Sequence, residues 1–238
     1  MNFNGKNILV IGGSSGIGLS LIKLLAANGA TVYNISRTSS PEWPVGVNHL
    51  TLDILQDCSP AAAFLPEQLH GLVYSVGSIT LKPFARLTED DFLNDYRVNV
   101  TGAVKIIQQA LKPLKVAQSA SVVLISSVAA KTGMSFHGSI AAAKSAVEGL
   151  ALSLAAELSP NRIRVNVIAP SLTDTPLAQT FLSTPERKEA SNKRHPLGKY
   201  GVPEDISSAI AFLLADETAW MTGQVIGIDG GLGKLKAG

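Results

Sequence analysis

The feature that most constrains the fold is a glycine-rich turn between an apolar run and an amphipathic segment. The stretch "ILVIGGSSGIGLSLIKLLAANGA", residues 8 to 30, places Gly12, Gly16 and Gly18 at this turn. Glycines there let the backbone turn tightly and approach a pyrophosphate, whose charge is met by N–H groups at the helix N-terminus. A tight turn in any sheet protein is the alternative. The strand–turn–helix context favours a dinucleotide-binding unit.

Six more β-rich runs follow the first run, and helical patterns separate most of them. The runs are "TVYNIS", "NHLTLD", "GLVYSV", "SVVLISS", "RVNVIAP" and "QVIGID", and the helical patterns cover 19–27, 92–114, 141–158 and 203–215. Apolar strands that alternate with helices predict a parallel sheet covered on both faces. We therefore expect an α/β fold with a doubly wound parallel sheet of about seven strands, a Rossmann fold.

No repeat or flexible linker divides the 238 residues, so we predict one dinucleotide-binding domain over 1–238. The stretch 176–201 carries "TPERKEASNKRHP" and joins the sixth strand to the next strong helix. Such a long polar connection predicts a substrate lid, and its basic cluster is either a solvated face or a surface that attracts an anionic substrate.

Charge and composition exclude several classes of protein. The 20 basic and 18 acidic residues nearly cancel, which argues against nucleic acid as the main partner and favours a small-molecule substrate. No apolar stretch approaches the length of a membrane span or a signal-peptide core, so we expect a cytoplasmic protein that uses no membrane. A lone Cys58 and four scattered histidines predict no metal site.

The end of the second strand, "YNISRTSS", bears on the choice of cofactor. An acidic residue there binds the ribose 2′-hydroxyl of NAD, whereas a nearby arginine accommodates the 2′-phosphate of NADP. Ser36 stands at the acidic position and Arg37 follows it. This favours NADP over NAD, although an exposed arginine is also compatible with an ordinary surface charge.

With these residues, the chain resembles the short-chain dehydrogenases/reductases of the single-domain type, including 3-oxoacyl-ACP-reductase-like members, from Gly5 to about Leu232. Its spacing G-x-x-x-G-x-G is that family's phosphate loop, although Ile11 stands where a threonine is usual. The resemblance implies that the loop binds the cofactor through Gly12, Ser14, Ser15, Gly16, Ile17 and Gly18.

Further cofactor positions follow from the same resemblance. Asp53 and Ile54 match the pair that brackets the adenine, and "YSVG" occupies the family's N-N-A-G turn but keeps only Gly77. Pro170 and Thr175 match the segment that grips the nicotinamide amide, where a serine replaces the usual glycine. The family commonly forms dimers or tetramers through two long helices, here 92–114 and 141–158, so we expect a homodimer or homotetramer.

The active-site motif of the family departs at one position. Ser127 falls at the catalytic serine, Asn99 at the asparagine that holds a water, and Lys144 at the lysine of Y-x-x-x-K, but Ile140 stands where the tyrosine is expected. In the family the tyrosine gives a proton to the substrate oxygen, the serine holds that oxygen, and the lysine holds the nicotinamide ribose. General acid catalysis contributes about 10²- to 10⁴-fold, so losing the tyrosine should slow ordinary ketone reduction.

Other groups can supply the proton. His137 precedes Ile140 by three residues, and Tyr74 carries a phenol in the altered turn. His137 is also compatible with a simple helix start, and Tyr74 with core packing; water or the substrate itself are further donors. The sequence thus favours an NADP-dependent oxidoreductase with an atypical site, with a dinucleotide-binding sensor or scaffold as the rival and a non-redox enzyme as a third class.

Overall fold

The computed structural model describes residues 1–235, which form a seven-stranded sheet with helices on both faces. All strand pairs are parallel, and the strand order is β3-β2-β1-β4-β5-β6-β7. The strands are β1 (Asn7–Ile11), β2 (Thr31–Ser36), β3 (Asn48–Thr51), β4 (Gly71–Tyr74), β5 (Ala120–Ile125), β6 (Ile163–Pro170) and β7 (Val225–Ile228). The predicted doubly wound α/β fold is confirmed. The last three residues of the predicted domain, 236–238, lie outside the described residues.

Seven α-helices connect the strands within residues 1–235. They are α1 (Gly16–Ala27), α2 (Pro60–Phe64), α3 (Glu89–Tyr96), α4 (Gly102–Val116), α5 (Gly138–Leu158), α6 (Pro185–Arg194) and α7 (Pro203–Leu214). No α-helix lies between β2 and β3 in the described chain, and α2 has five residues, as the prolines in these connections predict.

The helix predicted over 92–114 is confirmed as part of one continuous helical stretch, in which a π-helix, Arg97–Thr101, lies between α3 and α4. At this turn the side-chain amide of Asn99 donates to the backbone carbonyl of Asp95, 2.8 Å away. That carbonyl is the acceptor which the backbone N–H of residue 99 would use in an α-helix. The side chain thus competes for the helical acceptor where the helix widens, and π-bulges of this kind are frequent at functional sites.

The sheet buries side chains on both faces because successive strand residues point in opposite directions. Leu9 and Ile11 pack on the side of α4 and α5, whereas Ile8 and Val10 pack on the side of α1 and α7. Each face has its own hydrophobic cluster, which explains why the strands are apolar almost throughout.

Helix α5 and the turn after it, Gly138–Asn161, are long and apolar enough to cross a membrane by length and composition alone. Core helices pass the same test. Val147, Ala151 and Ala155 recur at every fourth position and are buried against the sheet in one cluster with Val122 and Val165. This stripe identifies α5 as a helix of the core.

All seven strands end at the same edge of the sheet, and the chain leaves β1 and β4, which are neighbours, toward opposite sides of it. In open α/β sheets, ligands bind outside the carboxyl ends of the strands at this switch point. The glycine turn follows β1 and Gly77 follows β4, so the predicted ligand-binding segments meet there.

Candidate functional site

Two adjoining clefts open at the carboxyl edge of the sheet. The glycine-loop cleft, of about 650 Å³, is lined by the turn after β1 and by residues that follow β2, β3 and β4. The lysine cleft, of about 690 Å³, is lined by residues that follow β4, β5 and β6, by Lys144 of α5 and by α6. Gly77 and Thr175 line both, so the clefts form one continuous site.

The glycine turn is shaped by steric demands that only glycine meets. Gly12 and Gly16 have φ angles of +85° and +53°, and a Cβ atom on Gly18 would lie 2.3 Å from the carbonyl oxygen of Gly12. The backbone therefore passes close under the start of α1, where unpaired N–H groups are available to an anion. The predicted residues Gly12, Ser14, Ser15, Gly16 and Ile17 line the glycine-loop cleft, whereas Gly18 supports the turn from inside α1.

Two side chains that the sequence did not single out hold this turn. The backbone N–H of Gly13 donates to Asn34 Oδ1 at 2.9 Å, and Trp43 Nε1 donates to the carbonyl of Gly13 at 2.7 Å. Asn34 is fully buried in β2. A buried asparagine inside an otherwise apolar strand was the available sequence signal, because buried amides need partners.

The residues after β2 and β3 form the far end of the glycine-loop cleft. Ser36 is buried and donates to the carbonyl of Thr38 at 2.7 Å, whereas the neighbouring Arg37 is exposed and lines the cleft. Asp53 and Ile54 line the same end. Arg37 makes no ion pair within residues 1–235, so its guanidinium is available to an anion at this end.

Lys144 is buried on the face of α5 that meets the sheet edge. Its Nζ donates to the carbonyl of Ile125 at 2.8 Å, and desolvation lowers the pKa of the ammonium to about 8, although the charge of Asp95 opposes this shift. Glu148, one turn further along α5, is engaged elsewhere: it accepts from Ser126 Oγ at 2.9 Å and pairs with Lys131 at 3.2 Å. The acid that acts on Lys144 therefore comes from α3.

Asp95 is fully buried and is the functional residue that the sequence reasoning missed. Its carboxylate accepts three hydroxyl hydrogen bonds: from Ser78 at 2.6 Å, Thr80 at 3.0 Å and Ser139 at 2.6 Å. Buried carboxylates persist where such donors replace water. The available sequence signal was its position four residues before Asn99, which places both on one helix face.

Asn99 is oriented by the same network. Its Nδ2 donates to Ser78 Oγ and to the carbonyl of Asp95, so its Oδ1 points the other way and accepts no hydrogen bond from the described chain. A Cβ atom on Gly77 would lie 3.2 Å from Asn99 Oδ1 and 3.5 Å from Lys144 Nζ. An acceptor and an ammonium thus face one small space that only a glycine leaves open, which suits a polar group of a ligand.

The remaining predicted catalytic residues meet in the lysine cleft. Ser127, His137 and Ile140 all line it with Lys144. His137 is half-buried before the first turn of α5, with Nδ1 2.7 Å from the carbonyl of Ser135. Tyr74 does not reach either cleft: it is buried, its hydroxyl donates to the carbonyl of Val98 at 2.6 Å, and desolvation raises its pKa. Its interpretation as a proton donor is wrong, and core packing explains it.

The segment after β6 and helix α6 form the opposite wall. Pro170 lines the lysine cleft, and the 3₁₀-helix Pro176–Phe181 leads from Thr175 toward α6. His195, just after α6, is buried, with Nδ1 2.7 Å from the carbonyl of Ser191 and Nε2 2.9 Å from Ser171 Oγ. The serine at the position of the family glycine thus ties the end of α6 to the strand edge.

A parallel sheet with a glycine turn at its switch point and a lysine–serine cleft beside it defines a dinucleotide-dependent enzyme scaffold. Residues 12–233 match the family model described as "Enoyl-(Acyl carrier protein) reductase". The chain belongs to this family of short-chain dehydrogenases/reductases and is an oxidoreductase of that type.

Named relatives extend over nearly the whole chain. The 3-oxoacyl-[acyl-carrier-protein] reductase FabG of Thermotoga maritima is 32% identical, over 98% of this chain and 99% of its own. A short-chain type dehydrogenase/reductase from Mycobacterium ulcerans superposes with a TM-score of 0.89 at 28% identity, over 98% of this chain and 91% of that one. ElxO, solved as a tyrosine-to-phenylalanine variant with NADPH bound, superposes with a TM-score of 0.86 at 26% identity, over 95% and 98%.

Members of this family bind NAD(H) or NADP(H), and the present residues fit such a cofactor. The glycine turn offers helix N–H groups to a pyrophosphate, and the space between Asn99 Oδ1 and Lys144 Nζ suits a ribose hydroxyl, which both donates and accepts.

Proposed function

We propose that this protein is an NADP(H)-dependent oxidoreductase that acts on a carbonyl, an alcohol or an activated double bond, with an active site in which Ile140 replaces the proton-donating tyrosine. One observation carries the proposal: Ser127, Lys144 and Ile140 line one cleft, and none of the tyrosines in the described chain lines it. Ile140 lies one helical turn before Lys144, where a tyrosine hydroxyl would act.

Each residue has a role that follows from its position. The hydroxyl of Ser127 holds the substrate oxygen, and Lys144 with Asn99 holds the ribose. Arg37 favours the 2′-phosphate of NADP, since it is the exposed cation at the far end of the glycine-loop cleft. The nicotinamide supplies the hydride when it is bound.

His137 is the proposed proton donor among the side chains of the lysine cleft. Imidazole exchanges protons near neutral pH, and Nδ1–H is engaged by the carbonyl of Ser135, so the imidazolium form offers Nε2–H to a substrate. His137→Gln should therefore lower kcat by about 10²-fold with little change in NADPH affinity. Equal kcat in the variant would assign the proton to water or to the substrate.

A screen of ketones, aldehydes, alcohols and enones with both cofactors tests the proposal, with oxidation or reduction of the nicotinamide followed by absorbance. Turnover that is faster with NADP(H) than with NAD(H) is the expected result. Tight NADPH binding without turnover of any of these compounds would count against redox function.

A dinucleotide-binding protein without turnover is the second candidate, and the apolar Ile140 favours it. The ElxO variant, in which a tyrosine is replaced by phenylalanine, has NADPH bound. In that protein, the loss of a tyrosine hydroxyl is therefore compatible with NADPH binding. Hydride transfer distinguishes the oxidoreductase from the binding protein, since both candidates bind NADPH.

We also propose that the protein is a cytoplasmic homodimer or homotetramer. The outer face of α5 supports assembly, because Leu152 is 63% exposed there beside Gly149, and small residues let two helices approach closely. Sedimentation analysis of the purified chain is the direct test, and a monomer at all concentrations would contradict this assembly.

A further inference from the structure

The ionisable side chains that line the lysine cleft are all basic among the described residues. Among the described residues, no aspartate or glutamate lines it, although the chain contains 18 acidic residues. The ionisable side chains that line it are Lys144, His137, His195, Arg187 and Arg194. A cleft with one sign of charge and apolar walls concentrates ligands of the opposite sign.

The two arginines project from one face of α6. Residues seven positions apart lie on the same side of a helix, and Ala190 and Ser191, between them, also line the cleft. Arg187 is held in place because its Nη1 donates to the carbonyl of Thr180 at 2.6 Å and to Ser183 Oγ at 2.9 Å. Arg194 makes no side-chain hydrogen bond or ion pair within the part of the chain that the structure describes.

These cations are separate from the predicted cofactor contacts. Neither Arg187 nor Arg194 lines the glycine-loop cleft, where Arg37 is the basic residue. The other walls of the lysine cleft are mainly hydrocarbon, as in Leu81, Met134, Leu172 and Phe181. The arrangement suits a ligand with an apolar body and one anionic end.

We propose that Arg187 and Arg194 form a subsite for the anionic group of the substrate, a carboxylate or phosphate carried on an apolar body. Arginine suits this role because its planar guanidinium donates two parallel hydrogen bonds to such groups. The identification of this ligand as the substrate rests on the proposed function, but its binding requires no hydride transfer.

Calorimetric titration of the NADPH-saturated protein with octanoate, octyl phosphate and 1-octanol tests the subsite. At least one anionic probe should bind about tenfold or more tightly than octanol, since hydrogen bonds between charged groups are the strong ones. The anionic probe that binds more tightly, octanoate or octyl phosphate, identifies the anionic group as a carboxylate or a phosphate. Arg187→Gln and Arg194→Gln should remove this preference, whereas Lys188→Gln, which removes a charge from the same helix away from the cleft, should keep it within about twofold.

The melting temperature of each variant shows whether the variant is folded. Arg187→Lys, which retains the charge, should keep part of the preference for the anionic probe. Equal affinity for octanol and both anions would overturn the subsite, as would an unchanged preference in both glutamine variants. Loss of NADPH affinity in those variants would instead assign the arginines to the cofactor and overturn it too. If an anionic probe still binds more tightly than octanol but no compound accepts hydride from NADPH, the proposed redox function is wrong and the subsite is supported.

Discussion

The two clefts are similar in size, about 650 and 690 Å³, but they are built in different ways. The glycine-loop cleft is formed chiefly by short turns after β1, β2 and β3, and its shape depends on backbone that side chains would block. The lysine cleft is formed by side chains from α5, α6 and the ends of β4, β5 and β6. By resemblance to the family, the first keeps its glycines but departs at Ile11 and in the turn 74–77, and the second departs at Ile140 and Ser171.

The difference between the two clefts separates cofactor binding from proton transfer. A cofactor pocket needs a backbone geometry that glycines set locally, whereas proton transfer needs one acidic hydrogen at one position. A chain can therefore keep the first and change the second. A buried polar network of Asp95, Asn99 and Ser78 lies behind the lysine cleft, and Ile140 stands in the wall of the cleft itself.

The largest expected effect is on the glycine-loop cleft. Gly18→Ala places a Cβ 2.3 Å from the carbonyl oxygen of Gly12, so it should weaken NADPH binding by more than about 10²-fold and destabilise the fold by about 3 kcal/mol. Fluorescence titration measures the NADPH affinity, and urea unfolding measures the free energy of unfolding. Gly133→Ala is the control: its Cβ meets open space in an exposed loop outside both clefts, so NADPH affinity should be unchanged and stability should stay within about 1 kcal/mol. Unchanged NADPH affinity in Gly18→Ala would contradict the steric account.

A variant with a tyrosine at position 140 tests the proton transfer in the lysine cleft. Ile140→Tyr should raise kcat for ketone reduction by about 10²-fold, because a phenol then lies one helical turn from Lys144. Ile140→Phe has nearly the same volume without the hydroxyl and should give no increase. An equal rise in both variants would attribute the gain to shape rather than to proton transfer.

Asp95→Asn tests the buried polar network behind the lysine cleft. The pKa of Lys144 is about 8 and the charge of Asp95 raises it, so the wild-type protein should lose NADPH affinity as pH rises through about 8. Without that negative charge the ammonium deprotonates at lower pH, so the loss should begin lower and reach about tenfold at pH 8. Asp90→Asn, at an exposed position of the same helix, should leave the pH profile unchanged. Superimposed profiles for wild type and Asp95→Asn would reject this role.

The smallest expected effect is at the far end of the glycine-loop cleft. Arg37→Gln should weaken NADPH binding by up to about fivefold with little change for NADH, because the guanidinium is exposed and solvent screens its charge. Parallel titrations with both cofactors measure the ratio, and Arg86→Gln, at an exposed position outside both clefts, is the control. Equal weakening for both cofactors would reject a 2′-phosphate contact.

The sequence predicted the backbone-determined parts well. Strand β2 has the predicted bounds, Thr31–Ser36, and the glycine turn lies at the sheet edge as its spacing indicates. Both depend on local patterns, namely apolar runs and residues free of a Cβ atom. The residues of the cofactor loop could therefore be named without any knowledge of distant contacts.

The parts that depend on tertiary contacts could not be predicted in the same way. The segment 92–114 has the apolar periodicity of one helix, and the π-helix arises where Asn99, Asp95 and Ser78 bond to one another. Tyr74 is the last residue of β4 at the predicted edge, but its ring turns into the core and its hydroxyl bonds to the carbonyl of Val98. Side-chain direction at a strand end is set by packing, which a linear pattern does not encode.

Transfer of deuterium from [4-²H]NADPH to an acceptor reports hydride transfer itself, whichever group gives the proton. The wild-type protein should label the product carbon from one face of the nicotinamide only, and Ile140→Tyr should accelerate this transfer without changing the face. Saturable NADPH binding with no deuterium in any ketone, aldehyde or enone acceptor would contradict the proposed hydride transfer.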